Sequence, residues 1–388
     1  MSAPIEVSIV MPCLNEAETL KACILKAREG LAATGRTGEI IIADNGSTDG
    51  SQALARSLGA EVVDVPRRGY GHALLTGTRA ARGRWIIMGD SDLSYDFSAI
   101  APLVEKLSEG FDLVMGCRLP SGGGHIDPAA MPWLNRWLGN PALSFIGRLL
   151  FNATITDFHC GMRGYSKEAF ERMDLRTGGM EFATEMVVKA ALKKMRITEV
   201  PITLHKDGRS RPPHLRRWRD GWRHLRFMLL FSPHWLFFYP GLLLTAFGLA
   251  LAVPLSFGDV MFAHIRLESG ALTVASMSVI VGFQVLGFAL WAGSQPVARG
   301  VLPPSPFLTK CLRLFSLERG ILLGAGIALA GVALLLHAVL IWRSTGYGLL
   351  NGPEILRIII PGATAISVGI QMIFGSFFLS VLDLNTEA

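Results

Sequence analysis

An α/β domain followed by a helical membrane domain of four spans is the architecture this sequence predicts, on three observations. Short apolar runs alternate with amphipathic stretches through the first half, acidic and turn residues cluster at the ends of those runs, and four long uncharged apolar runs fill the rest of the chain. A length of 388 residues also favours two or three domains. The boundaries drawn are 1–208 for the α/β domain, 209–235 for a basic juxtamembrane region and 236–388 for the spans.

Val7-Ser8-Ile9-Val10-Met11-Pro12 reads as a buried strand ended by proline, and Asn15-Glu16 opens an amphipathic helix from Ala17 to Leu31. The second strand, Glu39 to Ala43, is closed by Asp44-Asn45-Gly46-Ser47-Thr48-Asp49-Gly50, a turn and helix cap leading into Ser51 to Leu58. A strand from Ala60 to Val65, a helix from Gly71 to Ala81 and a strand from Arg84 to Met88 follow. This order predicts a mostly parallel sheet with helices on both faces and ligands beyond the carboxyl ends of its strands. Pro12, Asp44 and Asp90 all lie at such ends, so three loops converge on one crevice.

Asp90-Ser91-Asp92 is the most informative triplet. Side chains at i and i+2 of an extended segment point to one side, so both carboxylates reach one hard cation. Mg2+ or Mn2+ held by two carboxylates completes its shell with water and substrate phosphate, which points to a nucleotide diphosphate.

The apolar runs Leu236 to Ser256, Leu272 to Ala292, Ile321 to Trp342 and Ile358 to Leu382 each have bilayer-spanning length. Their main polar residues are Gln284, His337 and Gln371, which resemble no ion path. The N-terminal segment lacks a basic start, a long apolar stretch and a cleavage site, so the first half is expected in the cytoplasm. Arg209, Arg211, Arg216, Arg217, Arg219, Arg223 and Arg226 precede the first span, and Arg299, Lys310, Arg313 and Arg319 separate the second from the third. Both stretches are therefore expected to be cytoplasmic, with the C-terminal tail. Cys13, Cys23, Cys117, Cys160 and Cys311 are odd in number without metal-ligand spacing, as reduced packing thiols are. Leu215, Trp218, Trp222, Leu225 and Leu229 recur at helical spacing among arginines, the pattern of an interfacial helix on anionic headgroups. The net charge of +6 is gathered at this membrane edge, and without an aromatic RNA-binding motif no nucleic-acid partner is expected.

Met11-Pro12-Cys13-Leu14-Asn15-Glu16, the Asp44 to Gly50 cluster and Asp90-Ser91-Asp92 resemble, in order and spacing, the nucleotide-sugar motifs of family 2 glycosyltransferases. Thr156-Asp157-Phe158-His159-Cys160-Gly161-Met162-Arg163 is similar to the acceptor-side motif of the polyprenyl-phosphate branch, the dolichyl-phosphate mannose and glucose synthases. The resemblance covers residues 5 to 235. It implies a GT-A (Rossmann-like) nucleotide-sugar domain and inverting transfer of one hexose from a UDP- or GDP-sugar to polyprenyl phosphate. Asn45 departs from relatives with a second aspartate, which leaves the base open.

On that resemblance, Asp44 would bind the nucleoside, Pro12, Asn15, Glu16 and Asn45 would line its pocket, and Asp90 and Asp92 would hold Mg2+ or Mn2+. Arg118 and Arg209 would reach phosphate, or else are surface arginines. A phosphate acceptor is already largely ionised near its second pKa of about 6, so no catalytic base is required. Asp157 is read as an orienting residue, or as the base if the acceptor were a hydroxyl; His159 is either an acceptor-phosphate ligand or structural. Glu181 and Glu185 are expected on one helix face, where they would pair with acceptor-loop arginines or lie solvated. The stretch from Ser121 to His125 suits a closing loop.

The location expected is the inner (cytoplasmic) membrane, multi-pass, with the spans anchoring the chain and packing into a homo-oligomer. Two alternatives remain: a processive polysaccharide synthase, which the missing Gln-x-x-Arg-Trp motif disfavours, and a glycolipid transporter or flippase with a nucleotide-binding regulatory domain. The latter requires polar groups inside the spans.

Overall fold

The computed structural model describes residues 4–210, 217–298 and 316–384, and the chain divides into two compact units, Met1–Phe231 and Ser232–Ala388. Arg211, Leu215, Arg216, Arg299, Lys310, Cys311, Arg313 and the tail beyond Leu384, on which sequence expectations fell, lie outside the described residues.

In the first unit the predicted alternation is realised. β1 (Val7–Cys13), α1 (Ala17–Thr34), β2 (Gly38–Asp44), α2 (Ser51–Ser57), β3 (Glu61–Asp64), α3 (Tyr70–Ala80) and β4 (Trp85–Met88) follow one another. Next come α4 (Ala101–Ser108), β5 (Leu113–Cys117), β6 (His125–Ile126), α5 (Asn140–Phe151), β7 (Arg163–Ser166), α6 (Lys167–Met173), α7 (Phe182–Leu192), β8 (Ile197–Pro201), β9 (Thr203–Leu204) and α8 (Arg217–Leu230). Seven strands form one sheet in the order β3-β2-β1-β4-β7-β5-β8. β1, β2, β3 and β4 run parallel, whereas β7 is antiparallel to both β4 and β5.

β1 does not end at Pro12, as the sequence suggested. It continues to Cys13, opposite Asp44 of β2. β4 pairs with β1 only as far as Val10↔Met88, so Pro12 has a strand on one side alone and its missing N–H breaks no ladder. Burial of the sheet's Ile, Val and Met side chains beneath α1, α3 and α4 forms the core. α3 lies close over β1 and β2 because Gly77 has no side chain: a Cβ there would stand 2.6 Å from Val10 Cγ1 and 3.1 Å from the Ala43 Cβ.

The second unit contains four helices long and apolar enough to cross a membrane, His234–Phe257, Ser269–Ser294, Leu317–Ser344 and Gly352–Leu382. Small residues let their backbones approach: a Cβ on Gly324 would stand 2.7 Å from the Gly369 carbonyl, and one on Gly248 2.7 Å from that of Ala275. A hairpin of β10 (Val260–Phe262) and β11 (Ile265–Leu267) joins the first two helices. Asp259 before it accepts from Arg266 Nε at 2.8 Å and also pairs with Arg357.

Gly77→Val is expected to lower the stability of the first unit by about 1–3 kcal/mol, because two buried strands cannot retreat from the added methyls. Urea titration with pulse proteolysis of the full chain in detergent checks this, and an unchanged midpoint would mean that α3 does not pack as described.

Candidate active site

The site forms where β1, β2 and β4 end side by side. The Ser91 hydroxyl donates to the Pro12 carbonyl at 2.7 Å, and the Thr19 hydroxyl of α1 donates to the Ser91 carbonyl at 2.7 Å. These two bonds tie the acidic turn after β4 to the end of β1 and to the first helix.

Asp90 is partly accessible, yet its carboxyl is pushed up to about 7 by burial and then by Asp92; the Tyr70 hydroxyl, Arg209 and Arg118 pull it back down. Asp92 Oδ1 accepts from the Ser94 N–H and hydroxyl, at 3.0 and 2.5 Å, while Oδ2 accepts from Arg209 Nη2 at 2.6 Å. Arg209 also reaches Glu16 Oε1 at 3.2 Å and Asp207 Oδ2 at 3.4 Å, and the Gly208 N–H donates to the Asp92 carbonyl at 2.9 Å. The segment around Arg209, distant in sequence, is thus fastened across the mouth of the acidic turn.

On the β2 side, buried Asp44 accepts on Oδ2 from the Gly46 and Ser47 N–H groups, at 3.1 and 3.0 Å, and from Gln52 Nε2 at 2.5 Å. Its Oδ1 is buried and has no partner among the described residues. A buried carboxylate oxygen left unpaired is costly, and a ligand donor would satisfy it. Asn15, in the left-handed region at φ 58°, receives the Thr48 N–H on its amide oxygen at 2.8 Å, and its own N–H donates to the Ser47 hydroxyl at 2.9 Å. The first two motif loops therefore hold each other.

The acceptor-side motif joins through β5. Arg118, at the end of that strand, donates from Nε to Asp157 Oδ2 at 2.7 Å and from Nη2 to Oδ1 at 2.9 Å; its backbone N–H also donates to Oδ2, at 3.1 Å. Asp157 is fully buried, and burial alone would raise its pKa; the Arg118 guanidinium outweighs this and holds it below the usual range. The motif approaches Asp90 through Gly161, whose N–H donates to the Tyr95 hydroxyl at 2.8 Å. His159 lies near the rings of Phe158 and His224, with centroids at 5.4 and 5.0 Å, and neither ring nitrogen has a partner among the described residues. Burial, then His224, pushes its pKa well down, so the ring is neutral. Arg163 is completely buried and donates to the Cys160 and Ala183 carbonyls, which closes the motif loop onto α7.

Several expectations need correction. Arg118 is no surface arginine: it is 7 % exposed and its fork is committed to Asp157. Both Asp157 oxygens are occupied and its pKa is lowered, so it is poorly suited to be a base. The Asn45 amide is engaged within the protein: it exchanges hydrogen bonds with the Gly69 backbone at 3.0 and 3.2 Å, which holds the start of α3. Among the described residues Glu185 pairs with no arginine side chain: it accepts from the Arg176 and Thr177 N–H groups and pairs with Lys189 at 2.8 Å, and Glu181 precedes the helix. In the stretch from Ser121 to His125, Ser121, Gly123 and His125 are exposed while the other two glycines pack closely. A Cβ on Gly122 or Gly124 would collide with Cys117, and His125 pairs with Thr203 in a short sheet. Tyr70 and Tyr95 were missed; Tyr70, set between Gly69 and Gly71, was signalled only by that bare flanking.

Asp90 and Asp92 are the donor type a small hard cation takes; Asp92 is engaged here by Ser94 and Arg209, so a bound ion would draw it from Arg209 and complete its shell from water and substrate phosphate.

Residues 8–174 match the family described as Glycosyl transferase family 2, and residues 294–383 match its C-terminal transmembrane region. The low-salt glycan biosynthesis hexosyltransferase Agl6 of Haloferax volcanii is 37 % identical over 97 % of this chain and 88 % of its own length. A dolichyl-phosphate hexose transferase of the same organism is 27 % identical over 51 % of this chain and 82 % of its own. Among solved structures, glucosyl-3-phosphoglycerate synthase from Mycobacterium tuberculosis, in complex with Mn2+, UDP and glucosyl-3-phosphoglycerate, covers 59 % of this chain and 80 % of its own at 21 % identity and a TM-score of 0.46.

Arg118→Ala is expected to destabilise the first unit by about 3–5 kcal/mol, since it strands a buried carboxylate. Arg118→Met combined with Asp157→Leu should cost less than the single change. Because the folded Asp157 pKa is depressed, the pair's contribution is complete above the unfolded value of about 3.9 and is lost as pH falls towards the folded one. The wild-type urea midpoint should therefore drop more on acidification below about pH 4 than that of the double variant. A cost for Arg118→Ala under about 1 kcal/mol would mean a solvated pair.

Proposed function

The chain belongs to glycosyltransferase family 2, and from that premise we propose that it transfers one hexose from a UDP- or GDP-sugar to a polyprenyl phosphate, inverting the anomeric carbon. The observation that carries the donor half is the unpartnered, buried Asp44 Oδ1, which offers an acceptor for a nucleoside N–H or hydroxyl in the crevice that also holds Asp90 and Asp92. Pro12, Asn15 and Glu16 shape that crevice, with Asn45 acting through its grip on Gly69. Asp90 and Asp92 would hold Mg2+ or Mn2+, which when bound neutralises charge developing on the leaving diphosphate. Arg209, between Asp92 and Glu16, and Arg118 bring positive charge to the same place.

In the transfer, an acceptor phosphate oxygen attacks the anomeric carbon as the bond to the diphosphate breaks, and the nucleoside diphosphate leaves with the electron pair. The acceptor is already ionised, so no protein base is needed. Asp157 then has one task, holding Arg118. Support for a lipid acceptor comes from the four membrane-length helices and the name of the dolichyl-phosphate relative. The arginines of α8, next along the chain to the first of those helices, favour a cytoplasm-facing catalytic domain.

Purified chain in lipid nanodiscs, given polyprenyl phosphate, Mg2+ or Mn2+ and a panel of labelled UDP- and GDP-sugars, should label one lipid product from one donor. Asp92→Asn should abolish transfer, and Asp44→Ala should raise the donor KM about tenfold to a hundredfold, as loss of a charged hydrogen bond of about 1.5–3 kcal/mol does. Label in no lipid from any donor, with folded protein, would overturn the acceptor assignment.

A further inference from the structure

Residues 205–210 form a strap over the acidic turn. The His205 N–H donates to the Ser94 carbonyl and the Gly208 N–H to the Asp92 carbonyl, both at 2.9 Å, while the Ser210 N–H and hydroxyl donate to the Glu18 carboxylate at 3.0 and 2.7 Å. Gly208 lets the strap lie flat: a Cβ there would stand 2.9 Å from Leu93 Cδ1 and 3.1 Å from Thr19 Cγ2. From the strap Arg209 reaches into the crevice, its side chain 12 % exposed, with Nη2 2.6 Å from Asp92 Oδ2 and Nη1 3.2 Å from Glu16 Oε1. The other Asp92 oxygen accepts from the Ser94 N–H and hydroxyl. Both oxygens of Asp92 are thus engaged, one of them by a positive charge. A guanidinium and a divalent ion exclude each other from one carboxylate oxygen, by contact and by like charge.

We infer, on the reading of Asp90 and Asp92 as the cation site, that Arg209 selects the form in which the donor enters: it closes Asp92 to a free divalent cation and yields it to a cation that arrives with a nucleoside diphosphate. Against a cation alone, Arg209 would lose Asp92 and face a doubly charged ion with Glu16 and Asp207 left to hold it. Diphosphate oxygens give the displaced fork new acceptors of the kind it fits best. Cation and nucleotide therefore each strengthen the binding of the other, and the exchange of partners at Arg209 is the source of the coupling.

The strap is built to lift at one end. Its first end is held through β9, which pairs with β6, and by the His205 ring, whose Nδ1 lies 2.7 Å from Asp127 Oδ2. At its far end the bonds between Ser210 and Glu18 are exposed, and water competes with such contacts. Release of Asp92 by Arg209 then frees the middle of the strap while its root stays in place.

The test follows free Mn2+ by electron paramagnetic resonance as the full chain in detergent is titrated with the metal alone. Arg209→Met should bind Mn2+ about tenfold more tightly than the unmodified chain, the factor expected of a site that is open about a tenth of the time, and Arg209→Lys should restore most of the block. The further tightening given by UDP or GDP should shrink in Arg209→Met. An unchanged or weaker Mn2+ affinity in Arg209→Met, beside a nucleotide response in the unmodified chain, would overturn the inference and leave the donor reading standing. A gain that survives the addition of Asp90→Asn would also overturn it, because the ion would then sit elsewhere. No response to either nucleotide in the unmodified chain would overturn the donor reading itself, and the inference with it. A second arm needs no variant: hydrogen exchange in residues 205–210 of the unmodified chain should quicken under saturating Mn2+ and slow again when the nucleoside diphosphate is added. Exchange indifferent to bound Mn2+ would contradict the strap's release.

Discussion

Two carboxylates crowded at the end of β4 create a charge problem that most of the surrounding chain is arranged to answer. Asp90 is driven towards neutrality by burial and by Asp92, and three groups counter that drive: the Tyr70 hydroxyl, Arg209 and Arg118. Each is itself held. Tyr70 opens α3, whose preceding Gly69 is clasped by Asn45; Arg209 is drawn in by Glu16, Asp92 and Asp207; Arg118 is locked to Asp157. Residues spread from the first strand to the last segment before α8 therefore meet at one pair of acids. A network of this kind is sensitive to the loss of any member, since each buried charge is tolerated only through its partners.

The order of strands and helices was legible because hydrophobic period and turn chemistry are local properties, and the α/β domain followed from them, while the GT-A arrangement was implied by the resemblance of the motifs. The four apolar helices were legible from length alone. Candidate residues were placed where motif and strand end coincided, and the structure sets Asp44, Asp90 and Asp92 at the ends of neighbouring or next-neighbouring strands of one sheet. What escaped was burial. Arg118 and Asp157 stand 39 residues apart, and nothing local signals that one follows a buried strand while the other is sealed beside it, so the arginine was read as a phosphate ligand or a surface residue. Asn45 was likewise read as a ligand group, since its partner, the Gly69 backbone, carries no side chain to advertise the contact. The glycines at 122 and 124 illustrate the converse: absence of a side chain there serves close packing on Cys117, where composition suggested mobility.

Two helices far apart in sequence, α5 and α8, meet on the loop of Asp157. α8 contributes His224 to the packing of the acceptor-side loop, and α5 contributes Ser144 and Gly147 to the same loop.

The central claim is that Asp90 and Asp92 form a cation site completed by the diphosphate of the donor. It is tested most directly by following the electron paramagnetic resonance signal of free Mn2+ as the full chain is titrated with and without UDP or GDP. The account predicts that one nucleoside diphosphate sharply increases Mn2+ uptake and that Asp90→Asn abolishes the increase. Tight binding of that nucleotide, undiminished by EDTA and unaltered in the variant, would contradict it.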